Sequence, residues 1–295
     1  MGTDMDRQKM FKSVMAYAEM AKLRIVTMVL VTTTIGYLLG SKDPLSMAGL
    51  LCTLLGTAAA AAGSAVLNNY LERDSDAKMD RTKNRVLPAG MVKPAHALAF
   101  GIVLVLPGVS LLVWKVNLLT GFLVLLTVFL YVLVYTPLKR LSWINTPVGA
   151  IPGALPPLNG WAAASGELDV GAWILFLILF AWQHPHFYAI AWMYKEDYAK
   201  AELKMLPVVE PSGQRMFRQA VLFSVLLLLV SLVPSLIGMT GRVYWVGALL
   251  IGAMFVWLAL DVSKTRSLSD ARRLLKASVL YLPVLLALIL LDGAA

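Results

Sequence analysis

Charge is scarce in this 295-residue chain: Asp, Glu, Lys and Arg make up 15%, against 59% hydrophobic residues. Soluble globular chains carry about 25% charged and roughly 45–50% apolar residues. The composition therefore excludes a soluble enzyme of about two domains, which length alone would allow. Cysteine is almost absent. Cys52 stands alone in an apolar run, so no internal disulfide and no Cys-based zinc site can form, and the thiol reads as an inert small hydrophobe. No Gly-rich phosphate cradle of the P-loop type occurs. Histidine is limited to His96, His184 and His186. Residues 7–24 are too charged for the apolar region of a cleavable signal peptide, so none is expected.

What is present in quantity is long apolar runs. A membrane helix needs about 20 predominantly apolar residues. Nine stretches qualify: 25–41, 45–67, 95–113, 117–136, 143–164, 171–193, 219–238, 241–262 and 274–292. The expected fold is an all-α integral membrane protein, a nine-transmembrane-helix bundle around a central cavity. The fifth stretch holds Pro147, Pro152, Pro156 and Pro157 with Gly149, Gly153 and Gly160. It is expected to be a kinked or broken helix, tolerated only where protein or a wet cavity satisfies the freed backbone groups. That makes it a cavity wall.

The net charge of +9 comes from 26 Lys and Arg against 17 Asp and Glu. With nine spans, 23 of the 26 fall in the N-terminal tail and the loops on its side of the membrane. Only Lys42, Lys115 and Arg242 fall on the other. This asymmetry predicts a cytoplasmic N-terminus and a C-terminus on the opposite side of the cell membrane. It explains the basic balance without nucleic acid. Residues 1–24 read as a cytoplasmic tail in which Met10, Phe11, Val14, Met15 and Tyr17 recur at helical spacing among lysines, as in an interfacial helix. Residues 25–292 read as a single transmembrane catalytic bundle. Its two long cytoplasmic loops, near 68–94 and 194–218, carry dense charge of both signs, which favours function over disorder.

If the second span continues as a helix, Asn68, Glu72 and Asp76 fall at i, i+4 and i+8, within about 80° of one face. That face offers only oxygen donors, the chemistry a hard cation such as Mg2+ takes while keeping positions for water and substrate phosphate. Asp74 points away and reads as a solvated partner for a nearby cation. The plainer reading of the triplet is a charged helix end laced with ion pairs. The basic run Arg81-Thr82-Lys83-Asn84-Arg85 follows at once. Carboxylates beside guanidinium forks suit a metal-bridged polyphosphate.

On a continuous helix from Pro185, His186, Met193, Asp197 and Lys200 lie within about 60° of one another. The stripe would set an imidazole at membrane depth below a carboxylate and an ammonium at the surface. Ionisable groups at that depth are functional candidates, although a His beside Pro can simply bond a freed carbonyl. Glu196 reads as a rim charge. Both acidic clusters sit at the cytoplasmic ends of spans four apart, at the mouth of an apolar chamber. The implied substrate has a diphosphate head and a long lipid tail.

Asn68-x3-Glu72-x3-Asp76 with Arg81-Thr82-x2-Arg85 resembles the first Asp-rich motif of the UbiA-type intramembrane prenyltransferases. The similarity runs almost end to end, through Lys22-x-Arg24, Tyr135-Thr136 with Leu138-Lys139-Arg140, and Asn145-Thr146. It continues through Gly153-Ala154-x-Pro156-Pro157-Leu158-x-Gly160-Trp161, Trp182-Gln183-x-Pro185-His186-Phe187, Glu196-Asp197-Tyr198 and Met205-Leu206-Pro207-Val208-Val209. The last three point to the heme-modifying branch of that superfamily. Val86 stands where the family usually has Pro, Leu23 where Pro often sits, and Glu202-Leu203-Lys204 where a segment close to Gly-Ile-Pro is usual.

The resemblance implies transfer of farnesyl from farnesyl diphosphate to a vinyl group of heme B. Asn68, Glu72, Asp76 and Asp197 would hold Mg2+ against the diphosphate, and Arg81, Arg85 and Lys200 would neutralise its other oxygens. His186 would position heme as an axial ligand. Heme A-forming or oxidase-assembly proteins are candidate recipients of the product, a hand-off that the sequence itself does not show. Other acceptors, a quinone-precursor aromatic or a chlorin, stay open. A transporter or heme carrier would instead show charges near the midplane of several spans, where this chain has almost none.

Overall fold

The computed structural model describes residues 13–42 and 44–293, which form helices and no β-strand. In chain order these are α1 (residues 13–20), α2 (Leu23–Gly40), α3 (Met47–Asp76), α4 (Pro94–Lys115), α5 (Leu118–Val128), a π-helical turn (Phe129–Tyr135) and α6 (Thr136–Leu141). There follow α7 (Asn145–Ala154), α8 (Pro156–Ser165), α9 (Val170–Met193), α10 (Lys195–Lys200), α11 (Leu206–Val209), α12 (Gln214–Leu236), α13 (Arg242–Thr265) and α14 (Leu268–Asp292).

Among the described residues, eight helical runs are long and apolar enough to cross a bilayer, and they coincide with eight of the nine expected spans. The remaining stretch, 143–164, is broken as its prolines predict, into the ten-residue helices α7 and α8. Pro156 and Pro157 bring no N–H to the carbonyls one turn back. α9 braces the wall one turn before the break: the Gln183 amide donates to the Ala150 carbonyl at 3.1 Å. A Cβ on Gly153 would lie 2.0 Å from the Gln183 Oε1, so a larger residue there would displace the Gln183 amide.

Small residues decide which spans touch. A Cβ on Gly63 would lie 2.6 Å from the Gly101 carbonyl, and one on Gly56 2.8 Å from that of Gly108, so α3 and α4 meet backbone to backbone. Without a hydrophobic drive between helices in lipid, such close packing supplies the attraction. Four helix starts carry side-chain caps: Ser46 on Gly49 N, Asn117 on Thr120 N, Asp169 on Gly171 and Ala172 N, and Ser267 on Asp270 N. Such caps satisfy otherwise orphaned amides.

The inner helices are α9 and α3, with 61% and 56% of their apolar windows buried, against 28% for α4, α12 and α13. Leu175 and Ile178 of α9 share a buried cluster with Leu158, Phe217, Phe255 and Leu285. α1 lies against the C-terminal half of α3, with Ala16 and Met20 in a cluster with Val66, Val86 and Leu87, while Val14 and Met15 are exposed. Met10 and Phe11, expected on the same helix, lie outside the described residues.

Candidate active site

α3 runs on past the apolar stretch to Asp76, the condition on which the shared face of Asn68, Glu72 and Asp76 depends. Its last turns carry three oxygen-bearing side chains, each met by a cation from a different part of the chain. Lys22 Nζ, from the junction before α2, donates to Asn68 Oδ1 at 2.9 Å. Lys139 Nζ, from α6, reaches Glu72 Oε1 at 2.6 Å, with both side chains largely buried. Arg85 Nη1, from the loop after α3, reaches Asp76 Oδ2 at 2.8 Å. Asp76 Oδ1 is buried and has no partner among the described residues.

Asn68 has its polarity fixed from behind. Its Nδ2 donates to Thr136 Oγ1 at 3.0 Å, and the Thr136 hydroxyl donates to the Tyr131 carbonyl at 2.8 Å. The π turn makes that i−5 geometry possible, since the Thr136 N–H bonds the same carbonyl. π turns of this kind recur at functional sites. The same turn stacks the Tyr131 and Tyr135 rings at 5.8 Å, with Lys139 Nζ 4.5 Å above the Tyr135 centroid. Arg140 donates to Ser75 Oγ at 2.7 Å, tying α6 to α3.

Lys22 sits at the left-handed backbone position before α2. Burial, reinforced by the Arg85 charge, lowers its pKa to about 8, and Glu72 opposes the shift. Lys22 and Lys139 entered the sequence reading only through membrane sidedness and family motif. Their partners stand 46 and 67 residues away, so no local spacing reveals the pairing.

The second loop meets the first through Asp197. Its Oδ1 accepts the Asp80 N–H at 3.4 Å and its Oδ2 the Arg81 N–H at 3.2 Å. The Arg81 guanidinium lies over the Tyr194 ring at 5.0 Å. Lys200 stands further out, its Nζ 2.5 Å from Asp80 Oδ2. Lys200, and next Lys83, hold the Asp80 carboxyl at a pKa of about 2. Asp74 is exposed with Arg73 beside it at 3.6 Å.

The expected stripe from His186 to Lys200 is not one helix. The chain breaks at Tyr194 (φ −116°), and α10 starts anew. His186 and Asp197 are thus carried by separate helices. The break turns Asp197 onto the first loop instead of along α9. His186 is half-buried, with Nδ1 2.7 Å from Ser278 Oγ on α14 and its ring stacked on Trp182 at 4.8 Å. His184 is fully buried, bonded to the Phe180 carbonyl at 2.7 Å and stacked on Phe223. Neither histidine bonds the carbonyl of Ala181, the one Pro185 frees: His186 Nδ1 meets Ser278 Oγ and His184 Nδ1 meets the Phe180 carbonyl. His96 is exposed at the start of α4.

The departures at 202–204 also have a geometry. Glu202 takes φ 59°, a conformation glycine adopts freely, and its Oε1 accepts from Lys78 at 2.7 Å. Leu203 is buried. The Lys204 N–H, a group proline lacks, bonds the Lys139 carbonyl at 2.7 Å. Val86 is buried in the α1 cluster.

The donor set fits a hard divalent cation. Asn68, Glu72 and Asp76 present oxygens only, and Asp76 Oδ1 is an orphaned buried acceptor. Among the described residues no three His, Cys, Asp or Glu side chains converge tightly enough to enclose a metal. The acids are matched by cations instead, the charge pattern into which a metal with an anionic substrate can exchange.

Residues 29–282 match the UbiA prenyltransferase family. A protoheme IX farnesyltransferase of Solibacter usitatus is 47% identical over 285 residues, covering 94% of this chain and 98% of that protein. The solved structure of a digeranylgeranylglyceryl phosphate synthase superposes with a TM-score of 0.81 at 18% identity, over 95% of this chain and 98% of that one. A UbiA homolog from Archaeoglobus fulgidus, bound to GPP and Mg2+, has a TM-score of 0.66 at 17% identity, over 93% and 99%. The family match over most of the chain and the identity to that relative show that the chain belongs to the UbiA prenyltransferase family.

Proposed function

We propose that this chain transfers the farnesyl group of farnesyl diphosphate to a vinyl group of heme B, giving the hydroxyethylfarnesyl side chain of heme O. The observation that carries the reading is the row Asn68, Glu72, Asp76, each matched by Lys22, Lys139 or Arg85, at the basic end of a chain 47% identical to a protoheme IX farnesyltransferase.

Asn68, Glu72 and Asp76 would hold Mg2+, with Asp197 closing the site from α10. Each Asp197 oxygen takes one long amide bond, which leaves lone pairs for a cation. The metal supplies Lewis-acid charge to the departing diphosphate. Arg85 and Lys139 would exchange carboxylate oxygens, and Lys22 the Asn68 amide oxygen, for phosphate oxygens, so no buried charge is left unmatched, a state that is otherwise expensive. Arg81 adds a fork held in place by its own backbone bond to Asp197. Lys200 serves as the outer latch between the loops through Asp80.

The C–O bond of farnesyl diphosphate breaks and the vinyl π electrons form the new C–C bond. Water then adds to the resulting cation and releases a proton. The stacked Tyr131 and Tyr135 faces steady the allylic cation, and the apolar wall excludes other nucleophiles. His186 would ligand the heme iron. The basic asymmetry supports a multi-pass protein of the cell membrane with its N-terminus and this site on the cytoplasmic side.

The test is the purified chain with heme B, farnesyl diphosphate and Mg2+, with and without chelator, followed by chromatography of extracted hemes. A farnesylated heme that needs the metal is expected. Transfer to a quinone precursor or chlorin in preference to heme B would overturn the acceptor.

A further inference from the structure

Hydrogen-bond accounting at Ser278 decides which nitrogen of His186 is free. Ser278, fully buried on α14, has one hydroxyl proton and two lone pairs. Its Oγ lies 2.6 Å from the Leu275 carbonyl and 2.7 Å from His186 Nδ1. A carbonyl can only accept, so the hydroxyl proton goes to Leu275. Oγ is then an acceptor toward the ring, and Nδ1 must carry the imidazole proton. Neutral imidazole has one N–H, so Nε2 keeps its lone pair.

The ring is also fixed in orientation. It stacks on Trp182 with an interplanar angle of 24°, and Trp182 Nε1 donates to the Ser278 carbonyl at 2.8 Å. One residue of α14 therefore grips both aromatic side chains, the serine main chain through the indole and its side chain through the imidazole. His184 shows the contrast. Its Nδ1 faces the Phe180 carbonyl at 2.7 Å, and its Nε2 also has no partner. That nitrogen is sealed in the core against Phe223, with ring centroids 3.5 Å apart. Among the described residues, only His186 combines an Nε2 without a partner with a half-buried ring.

We infer that Ser278 is a positioning residue for the acceptor: it fixes His186 in the Nδ1–H tautomer and aims the Nε2 lone pair at the iron of the incoming heme. The inference rests on the reading of His186 as the heme ligand. A donor–acceptor partner behind a ligating imidazole sets its tautomer and raises its basicity, and removing such a partner typically lowers metal affinity 10–100-fold.

The experiment titrates heme B into the full chain in detergent, for wild type, Ser278→Ala, Ser278→Thr and His186→Ala. Absorbance gives the affinity, and resonance Raman of the ferrous form gives the iron–imidazole stretch. Ser278→Ala keeps the main-chain bond to Trp182, so the fold is retained. Its heme affinity is expected to fall roughly 10–100-fold and its iron–imidazole stretch to shift down, with Ser278→Thr restoring both. A wild-type affinity and stretch in Ser278→Ala, with His186→Ala altered, would overturn the role of Ser278 alone. If His186→Ala also leaves the heme spectrum unchanged, the ligand reading and this inference fall together. Loss of affinity in Ser278→Ala with an unmoved stretch, unrestored by Ser278→Thr, makes Ser278 merely structural and also overturns it.

Discussion

The Asp197 carboxylate accepts the backbone N–H of Arg81 at 3.2 Å, a bond across 116 residues that joins the two charged loops. It places the start of the basic run relative to the acids of α3. A side chain on α10 thereby sets where a guanidinium on the other loop can reach. Replacing Asp197 by Asn keeps an acceptor for one amide. Replacing it by Ala releases both, and the loops should lose their register.

Asp76→Asn is expected to lower heme O formation by roughly 10²–10³-fold, the loss seen when one preorganised electrostatic group is removed. The protein should still insert and bind heme. The check is product chromatography beside a heme titration. Near-wild-type turnover would remove Asp76 from the site.

Lys139→Met leaves Glu72 largely buried and facing only more distant cations. Removing one partner of a buried pair costs about 3–5 kcal/mol. The double variant Lys139→Met with Glu72→Leu should recover part of that loss, because no charge is then stranded. Unfolding in detergent measures both. Equal stability of the single and double variants would mean the pair is not desolvated as its 2.6 Å contact implies.

Asp80 is pulled to a pKa of about 2 by Lys200 and then Lys83. Because its folded pKa lies below the unfolded one, the latch contributes above the ordinary Asp range and is lost as pH falls through about 2. An NMR titration of the Asp80 carboxyl should show that midpoint, and Lys200→Met should move it back toward 3.8. An unmoved midpoint would leave Lys200 with no part in the latch.

Glu202 occupies a left-handed conformation at φ 59°, which penalises any residue with a Cβ by about 1–2 kcal/mol. Its ion pair with Lys78 is exposed and contributes little. Glu202→Gly should therefore raise thermal stability by about 1 kcal/mol, after the extra freedom of glycine in the unfolded chain offsets part of the gain. A destabilised variant would show that the Lys78 contact outweighs the strain.

Local features were readable without coordinates because they depend on neighbours in the chain. Apolar run length gave the spans, and the prolines at 156 and 157 gave the broken wall. The i, i+4, i+8 spacing gave the face of α3. Extending α9 through Tyr194 failed because no proline or glycine marks that break, and the turn is decided by what α10 meets on the other loop.

Amino-acid order by itself determined that the chain crosses the bilayer, that its basic residues gather at one end, and that oxygen donors share one face of α3. Those properties follow from hydropathy and from helical periodicity, which act over a few turns. Only the tertiary structure decided that Lys22, Lys139 and Arg85 face those donors, that Asp197 grips the Arg81 backbone, and that Ser278 orients His186. Each of these contacts joins segments that are distant in the chain or on separate elements, and the packing of spans through close glycine contacts sets them at hydrogen-bond distance.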